Sequence, residues 1–427
     1  MSGAGLTGLT AQKRIVLVNA GVINPESIAS CTAAGGYQAL RKALRELKPA
    51  DVTEEVKKSG LRGRGGAGFP TGLKWSFTAP LDGEKYIVCN ADEGEPGTFK
   101  DRLIMEGDPH KLVEGMTIAG YAIGAGSGFV YIRGEYGLSI RRMNQAVEDA
   151  RREGFLGKNI MGSGFDFDIC VRSGAGAYVC GEETSLINSL EGGRGYPRIK
   201  PPFPGVRGLW GRPTVVNNVE TIANVPAIIE NGAAWFRSFG TEKSSGTKIF
   251  CISGAVANPG SVEAGMGITL RELIYTHSGG MKDGAGFKAA LIGGAAGCFV
   301  SGDMMDVRMD FEHLAECGAV LGSGAVMVIS DRQNIGLVLK KVLEFFRHES
   351  CGQCMPCRIG CRMLNVLMDK CLQGKQAKEN FGRMMELAEA MKDSSFCALG
   401  QSPVMPVKSA HRYFADEIAS SEAGRRK

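Results

Sequence analysis

Cys351, Cys354 and Cys357 stand two residues apart in Glu-Ser-Cys351-Gly-Gln-Cys354-Met-Pro-Cys357, and Cys397 follows farther along the chain. Thiolates at that spacing can turn onto one inorganic centre, and three such ligands want a fourth. Zinc would accept four thiolates, but zinc sites usually come as two separated pairs. A packed triple is the spacing of iron–sulfur ligation. Two consecutive two-residue spacings also argue against a mere set of structural thiols. The expectation is a [4Fe–4S] cluster, hence one-electron chemistry. Two residues compete for the fourth ligand. Cys361 completes the C-x2-C-x2-C-x3-C run of bacterial ferredoxins, but there the last cysteine serves a second cluster and precedes a proline. Here Arg362 follows, no second triple exists, and the residues after Cys361 read as helix. Cys397 sits in Ser-Ser-Phe-Cys397-Ala-Leu-Gly, a small-residue loop able to bend onto a metal, and is favoured.

Four other segments carry binding chemistry. The loop from Gly60 to Trp75 holds Gly63, Gly65 and Gly68 in a G-x-G-x-x-G match. It follows a helical stretch rather than a strand, so the usual dinucleotide reading is not licensed. Its glycines still let backbone N–H groups approach a phosphate or an aromatic ring. Pro70 is placed to start a helix, and Lys74 one turn later can reach an anion. The second segment, Asn90-Ala-Asp92-Glu93-Gly-Glu95, lies at the end of an apolar run, where open α/β sheets bind ligands. Its carboxylates suit a solvated turn, a divalent cation or the hydroxyls of a ribityl chain. The third, Gly174 to Thr184, also follows a strand and opens a helix. The fourth, Pro213 to Thr221, contains adjacent Asn217 and Asn218, which offer donors and acceptors to an isoalloxazine or amide edge, or else cap a helix. Lys200 and Phe203 lie in a rigid proline loop.

These segments need a scaffold to bring them together. At 427 residues the chain should hold two to four domains. Apolar strands near 85–89, 128–133 and 165–171 alternate with helical patterns at 36–60, 109–124 and 137–153, which predicts an α/β layer with a largely parallel sheet. Ile15 to Val18 reads as a further short strand. From about 245 a single short helix at Leu270 among strands at 248–252, 261–263, 288–292 and 325–330 suggests a small α+β domain. From Gln333 the pattern is helical, with helices near 333–348, 358–373, 376–392 and 403–420 and the cysteine triple between the first two. The division is 1–240, 241–332 and 333–427.

Composition narrows the class. Net charge is +5, and no basic run interleaved with aromatics marks a nucleic-acid surface. No apolar stretch reaches a membrane-spanning length. The 13 cysteines are odd in number and no secretory signal precedes them, so a reducing, cytoplasmic setting with metal ligands fits better than a disulfide framework.

With Gly-Leu-Arg-Gly-Arg-Gly-Gly-Ala-Gly-Phe-Pro-Thr-Gly, Asn-Ala-Asp-Glu-Gly-Glu-Pro-Gly-Thr, Cys-Gly-Glu-Glu-Thr and Glu-Ser-Cys-Gly-Gln-Cys-x-Pro-Cys-Arg all present, the chain resembles the NADH-binding flavoprotein subunits of respiratory complex I. It is equally similar to the β-type subunits of NAD-linked, including electron-bifurcating, hydrogenases and formate dehydrogenases. The likeness runs from about residue 15 to 415. It implies an FMN-binding α/β domain, a ubiquitin-like domain and a four-helix bundle with one [4Fe–4S] cluster. It also implies NADH stacked on FMN, hydride transfer between them, and electrons passed singly to the cluster. By resemblance Gly63, Arg64, Gly65, Lys74, Asn90, Asp92, Glu93, Tyr178, Gly181, Glu182, Val216, Asn217, Asn218 and Thr221 would hold FMN. Phe69, Phe77 and Phe203 would flank NADH, with Lys200 on its side. Glu95 and Glu183 would face the reacting nicotinamide end. Cys351, Cys354, Cys357 and Cys397 would hold the cluster. Implied partners are a thioredoxin-like [2Fe–2S] subunit and a larger iron–sulfur subunit, in complex I, a hydrogenase or a formate dehydrogenase. The rival from another class is a binding scaffold with a structural cluster.

Overall fold

Asp108, Pro109 and Gly124 show how this sequence delimits its elements. The Asp108 carboxylate accepts the Lys111 N–H, Pro109 occupies the first helical position, and Gly124 ends the helix at φ 71°. Between them runs the buried helix Pro109–Ile123, beside which the first sheet forms. The computed structural model describes residues 14–420. Its first sheet has four strands: β1 (Tyr86–Ala91), β2 (Ser127–Ile132), β3 (Asp168–Ser173) and β4 (Thr214–Asn218). All pairings are parallel, in the order β3-β2-β1-β4. β1 is buried along almost its whole length, as a parallel strand covered on both faces must be. Ile87, Cys89 and Ala91 pack into a core built with the surrounding helices. Tyr86 and Val88, on the opposite face, join a second core that reaches the C-terminal helices. The period-2 alternation of one strand thus ties two layers together.

The chain runs outward from β1 through β2 to β3, then returns to the other side of β1 as β4. Between β1 and β4 the strand order reverses, and the carboxyl ends of such a pair open a crevice. Asn90 of β1 is the register partner of Asn218 of β4.

A second, mixed sheet comprises β5 (Thr247–Gly254), β6 (Gly260–Gly265), β7 (Phe287–Ile292), β8 (Cys298–Ser301) and β9 (Ala325–Ser330), in the order β6-β5-β9-β7-β8. Phe250, Ile252, Leu273 and Val328 fill its own core. Four long helices follow, Ile335–Glu349, Met355–Leu372, Ala377–Ser394 and Val404–Ser420, within a few residues of the periodicity-based spans.

Two readings need correction. Ile15 to Val18 forms no strand. Ile15, Val16 and Leu17 are buried, but their N–H groups donate to the carboxylate of Glu263 on β6 at 2.8–2.9 Å. Apolar character there reports burial, and one acidic side chain replaces a pairing strand. The short helix expected at Leu270 is present, and its turns widen over Glu272–Thr276. The segment after Pro213 holds the strand β4, which Pro213 and the two asparagines mask in the sequence, while Asn218 at its end caps helix Val219–Ala223 by accepting the Glu220 N–H.

Candidate functional site

The crevice between β1 and β4 gathers most of the sequence-predicted binding residues. The N–H of Arg64 donates to the Thr221 hydroxyl at 2.8 Å, which seats the glycine loop on the helix that follows β4. A Cβ on Gly65 would lie 3.0 Å from the Asn218 Cβ, so glycine is what allows this approach. Lys74, on helix Thr71–Thr78, donates to the Val216 carbonyl at 3.0 Å and lies 3.5 Å from Glu183. Asn90 donates to the Gly181 carbonyl at 2.8 Å, joining the end of β1 to the third segment. Lys200 bridges Glu182 and Glu183 at 3.0 and 3.2 Å. Glu182 also caps helix Glu183–Leu190 through the Thr184 and Ser185 N–H groups.

Glu93 braces the site from beneath. Its carboxylate accepts the Asp101 and Arg102 N–H groups at the start of helix Lys100–Gly107 and the Tyr136 hydroxyl. Burial, then the Asp101 charge, pushes its carboxyl up to about 7. Glu95 accepts the Tyr178 hydroxyl at 2.6 Å and the Ala296 N–H at 3.1 Å, and burial raises its carboxyl despite both bonds. Asn217 accepts the indole N–H of Trp75 at 2.9 Å. Phe69, Phe77 and Phe203 are 45%, 58% and 59% exposed, so all three rings stand open to a ligand. The Phe203 turn lies against the helix that carries Phe77, since Thr78 donates to the Gly205 carbonyl.

The cysteines meet at the mouth of the bundle. Cys354 precedes helix Met355–Leu372 and Cys357 lies in its first turn, while Cys397 precedes the short helix Ala398–Gln401. One cavity is walled by Cys351, Cys354, Cys357 and Cys397, together with Val179 and Pro197; Cys361 is not among its walls. Cys361 is buried and instead faces Cys357 across 4.0 Å. That contact, with the Ser350 hydroxyl at 3.2 Å, holds the Cys357 thiol down at about 7 and raises Cys361. Among the described residues no three His, Cys, Asp or Glu side chains converge as tightly as a single ion requires.

With this geometry in place, known proteins supply the family. Residues 56–227 match the Nuo51 FMN-binding domain, 249–307 an SLBB domain, and 337–421 the NADH-ubiquinone oxidoreductase-F iron-sulfur binding region. An NADH-quinone oxidoreductase subunit of Rhizobium meliloti is 48% identical over 96% of this chain and 98% of its own length. The chain belongs to the NADH-binding flavoprotein subunits of NADH-quinone oxidoreductases and related hydrogenases. The NADP-reducing hydrogenase subunit HndC of Solidesulfovibrio fructosivorans is 50% identical over 97% of this chain and 84% of its own. A crystal structure of an NAD+-reducing [NiFe]-hydrogenase superposes with a TM-score of 0.83 at 36% identity, covering 96% of this chain and 67% of that one. Members of this flavoprotein family are therefore parts of several redox assemblies. No helix among the described residues is long and apolar enough to cross a membrane.

FMN and a [4Fe–4S] cluster are the family's cofactors, and the residues fit both. Buried polar atoms are normally bonded, yet Asp92 Oδ2 has no partner among the described residues. Burial pushes the Asp92 carboxyl up to about 7, against the pull of Arg133. An unused buried acceptor suits a ligand hydroxyl. The four-thiol cavity suits a group wider than one ion.

Three contributors are not legible in the sequence. Trp75 orients Asn217 but stands in the sequence as an ordinary helix aromatic. Ser350 touches Cys357, and only its place next to Cys351 hints at this. A Cβ on Gly400 would lie 2.8 Å from the Cys357 Cβ, so this glycine lets the Cys397 turn reach the cysteine helix. In the sequence Gly400 is only one member of a small-residue loop.

Proposed function

We propose that this chain oxidises NADH at the β1/β4 crevice and passes the electrons out through the four-cysteine site. The observation that carries the reading is a shared loop. Tyr178 hydrogen-bonds Glu95 at the nucleotide side, while the next residue, Val179, walls the cysteine cavity. The two sites are therefore neighbours. When bound, FMN accepts a hydride and yields single electrons, and the cluster accepts them one at a time.

The protein's part is to bind, orient and exclude water. The Gly65 N–H and Lys74 would hold the phosphate in the loop that Gly63 and Arg64 shape; Asn90 and Asp92 would take the ribityl hydroxyls; Asn217, Asn218 and Thr221 would fix the ring edge. Glu93, Val216, Gly181 and Glu182 shape the walls. Phe69, Phe77, Phe203 and Lys200 would receive the dinucleotide, with Glu95 and Glu183 at the nicotinamide end. Cys351, Cys354, Cys357 and Cys397 would ligate the cluster. On this reading the chain divides at 240 and 332. Its electrons pass to a thioredoxin-like [2Fe–2S] subunit and a larger iron–sulfur subunit on the cytoplasmic side.

A second reading draws on the hydrogenase relatives: a β-type subunit of a bifurcating hydrogenase or formate dehydrogenase, working in the nucleotide-reducing direction. Ferricyanide reduction by NADH, with acid extraction of the flavin, tests the common core. FMN released and NADH oxidised is the expected result; FAD, or a colourless inactive protein, refutes it. Subunits co-purifying from native cells separate the two readings.

A further inference from the structure

Lys248 is fully buried on β5 of the second sheet, yet its charge serves the first. Its Nζ donates to Glu220 at 2.6 Å, and Glu220, also fully buried, lies on the short helix directly after β4. The same Glu220 oxygen lies 3.0 Å from Lys100 Nζ. Lys100 in turn donates to Asn218 Oδ1 at 3.1 Å and to Asp101 at 2.6 Å, and Asn218 donates back to Asp101 at 2.7 Å. The Ile249 N–H closes the seam on the other Glu220 oxygen at 2.8 Å. The seam therefore begins on the second sheet and ends on an asparagine at the mouth of the β1/β4 crevice. Arg64 extends it, donating from the glycine loop to the Ser245 carbonyl.

Buried ion pairs contribute little net stability, because desolvation offsets their attraction. Holding a neighbouring group in one orientation is a better-attested use. The Asn218 amide has two chemically different ends, and its oxygen also accepts the Glu220 N–H at 3.0 Å as the cap of the helix that carries Glu220. Lys100 on its oxygen and Asp101 on its nitrogen leave one orientation. Lys100 divides its charge between Asp101 and Glu220, and Glu220 is fixed by Lys248.

We propose that Lys248 is a positioning residue for the flavin crevice, acting through Glu220 and Lys100 on Asn218, so that the second sheet sets FMN affinity and the potential of the bound flavin. This rests on the reading of that crevice as the FMN site. Removing a buried cation near a flavin that gains negative charge on reduction shifts its potential downward. Losing one charge-assisted hydrogen bond from the chain of contacts weakens FMN about tenfold or more.

The test uses full-length Lys248→Met and the double variant Lys248→Met/Glu220→Gln beside the unsubstituted chain. FMN affinity, flavin potential by spectroelectrochemistry and thermal midpoint are read for each. Lys248→Met should bind FMN at least about tenfold more weakly and at a lower potential. The double variant, with no unpaired buried charge, should regain the thermal midpoint yet keep the weak affinity. Affinity recovering in step with the midpoint overturns the proposal, as do affinity and potential unchanged in both variants. Hydrogen exchange on the unsubstituted chain gives an independent reading. The Ile249 amide should gain protection on FMN binding, and unchanged protection counts against the coupling. If the unsubstituted chain itself binds no FMN, the site reading fails rather than the role of Lys248.

Discussion

Replacing Cys397 and Cys361 separately should give opposite results. Cys397 walls the four-thiol cavity and Cys361 does not. Cys397→Ser should lower iron from about four atoms per chain to three or fewer, with the reduced-cluster electron paramagnetic resonance signal lost. Cys361→Ala should keep about four iron atoms and the signal. Its cost is one sulfur from a site 1% exposed, about 1–2 kcal/mol of stability. Gly400→Val supplies a steric counterpart. Its Cβ would stand 2.6 Å from the Ser395 Cβ and 2.8 Å from the Cys357 Cβ. The Cys357 contact cannot be relieved without moving the Cys397 turn away from the cysteine helix. That variant should therefore lose iron with every thiol still present. Iron and acid-labile sulfide assays on anaerobically reconstituted chains, with thermal midpoints as folding controls, read all three. Full iron in Cys397→Ser together with loss in Cys361→Ala would refute the ligand assignment.

Three further outcomes are expected. NADH should outperform NADPH in ferricyanide reduction, because the Glu182 and Glu183 carboxylates at the nucleotide loops would repel a 2′-phosphate; equal kcat/KM would contradict this. Asp92, with its carboxyl raised to about 7 by burial, binds its proton more tightly folded than unfolded, so its contribution favours the folded state most at low pH and declines as pH rises from about 4 to 7. Asp92→Asn in the FMN-free chain should therefore gain stability over the unsubstituted protein at pH 8 relative to pH 5, read by urea unfolding; a constant difference would count against it. Glu263→Gln should lower stability by about 3–5 kcal/mol, since an amide cannot accept all the N–H groups now placed on the carboxylate, and limited proteolysis should release the segment around Ile15.

The cysteine spacing announces its chemistry because local chain geometry alone brings Cys351, Cys354 and Cys357 within reach of one centre. The four long helices and β1 to β3 are legible for a similar reason: their periodicity is a property of nearby residues. What escapes depends on distant partners. Ile15 to Val18 looks like a strand because burial and pairing leave the same apolar trace, and nothing near it names Glu263. β4 is hidden by the asparagines that make it useful. The crevice residues are recognised through motif resemblance rather than spacing. Their juxtaposition follows from β4 returning beside β1, a topological fact that no single segment carries.

Glu349 and Ser350 stand side by side in the chain but serve different sites. Glu349 accepts the Tyr178 N–H at 3.0 Å, and the Ser350 hydroxyl touches the Cys357 sulfur. One peptide unit thus spans the gap between the nucleotide loop and the cysteine loop. A hinge motion of the bundle would carry both ends of that strut at once. Tyr178 lies outside the bundle, so its bond to Glu349 ties the spacing of the two sites to the seating of the bundle, and an insertion of even a single residue at 349–350 would act as a change of length in the molecule's wiring.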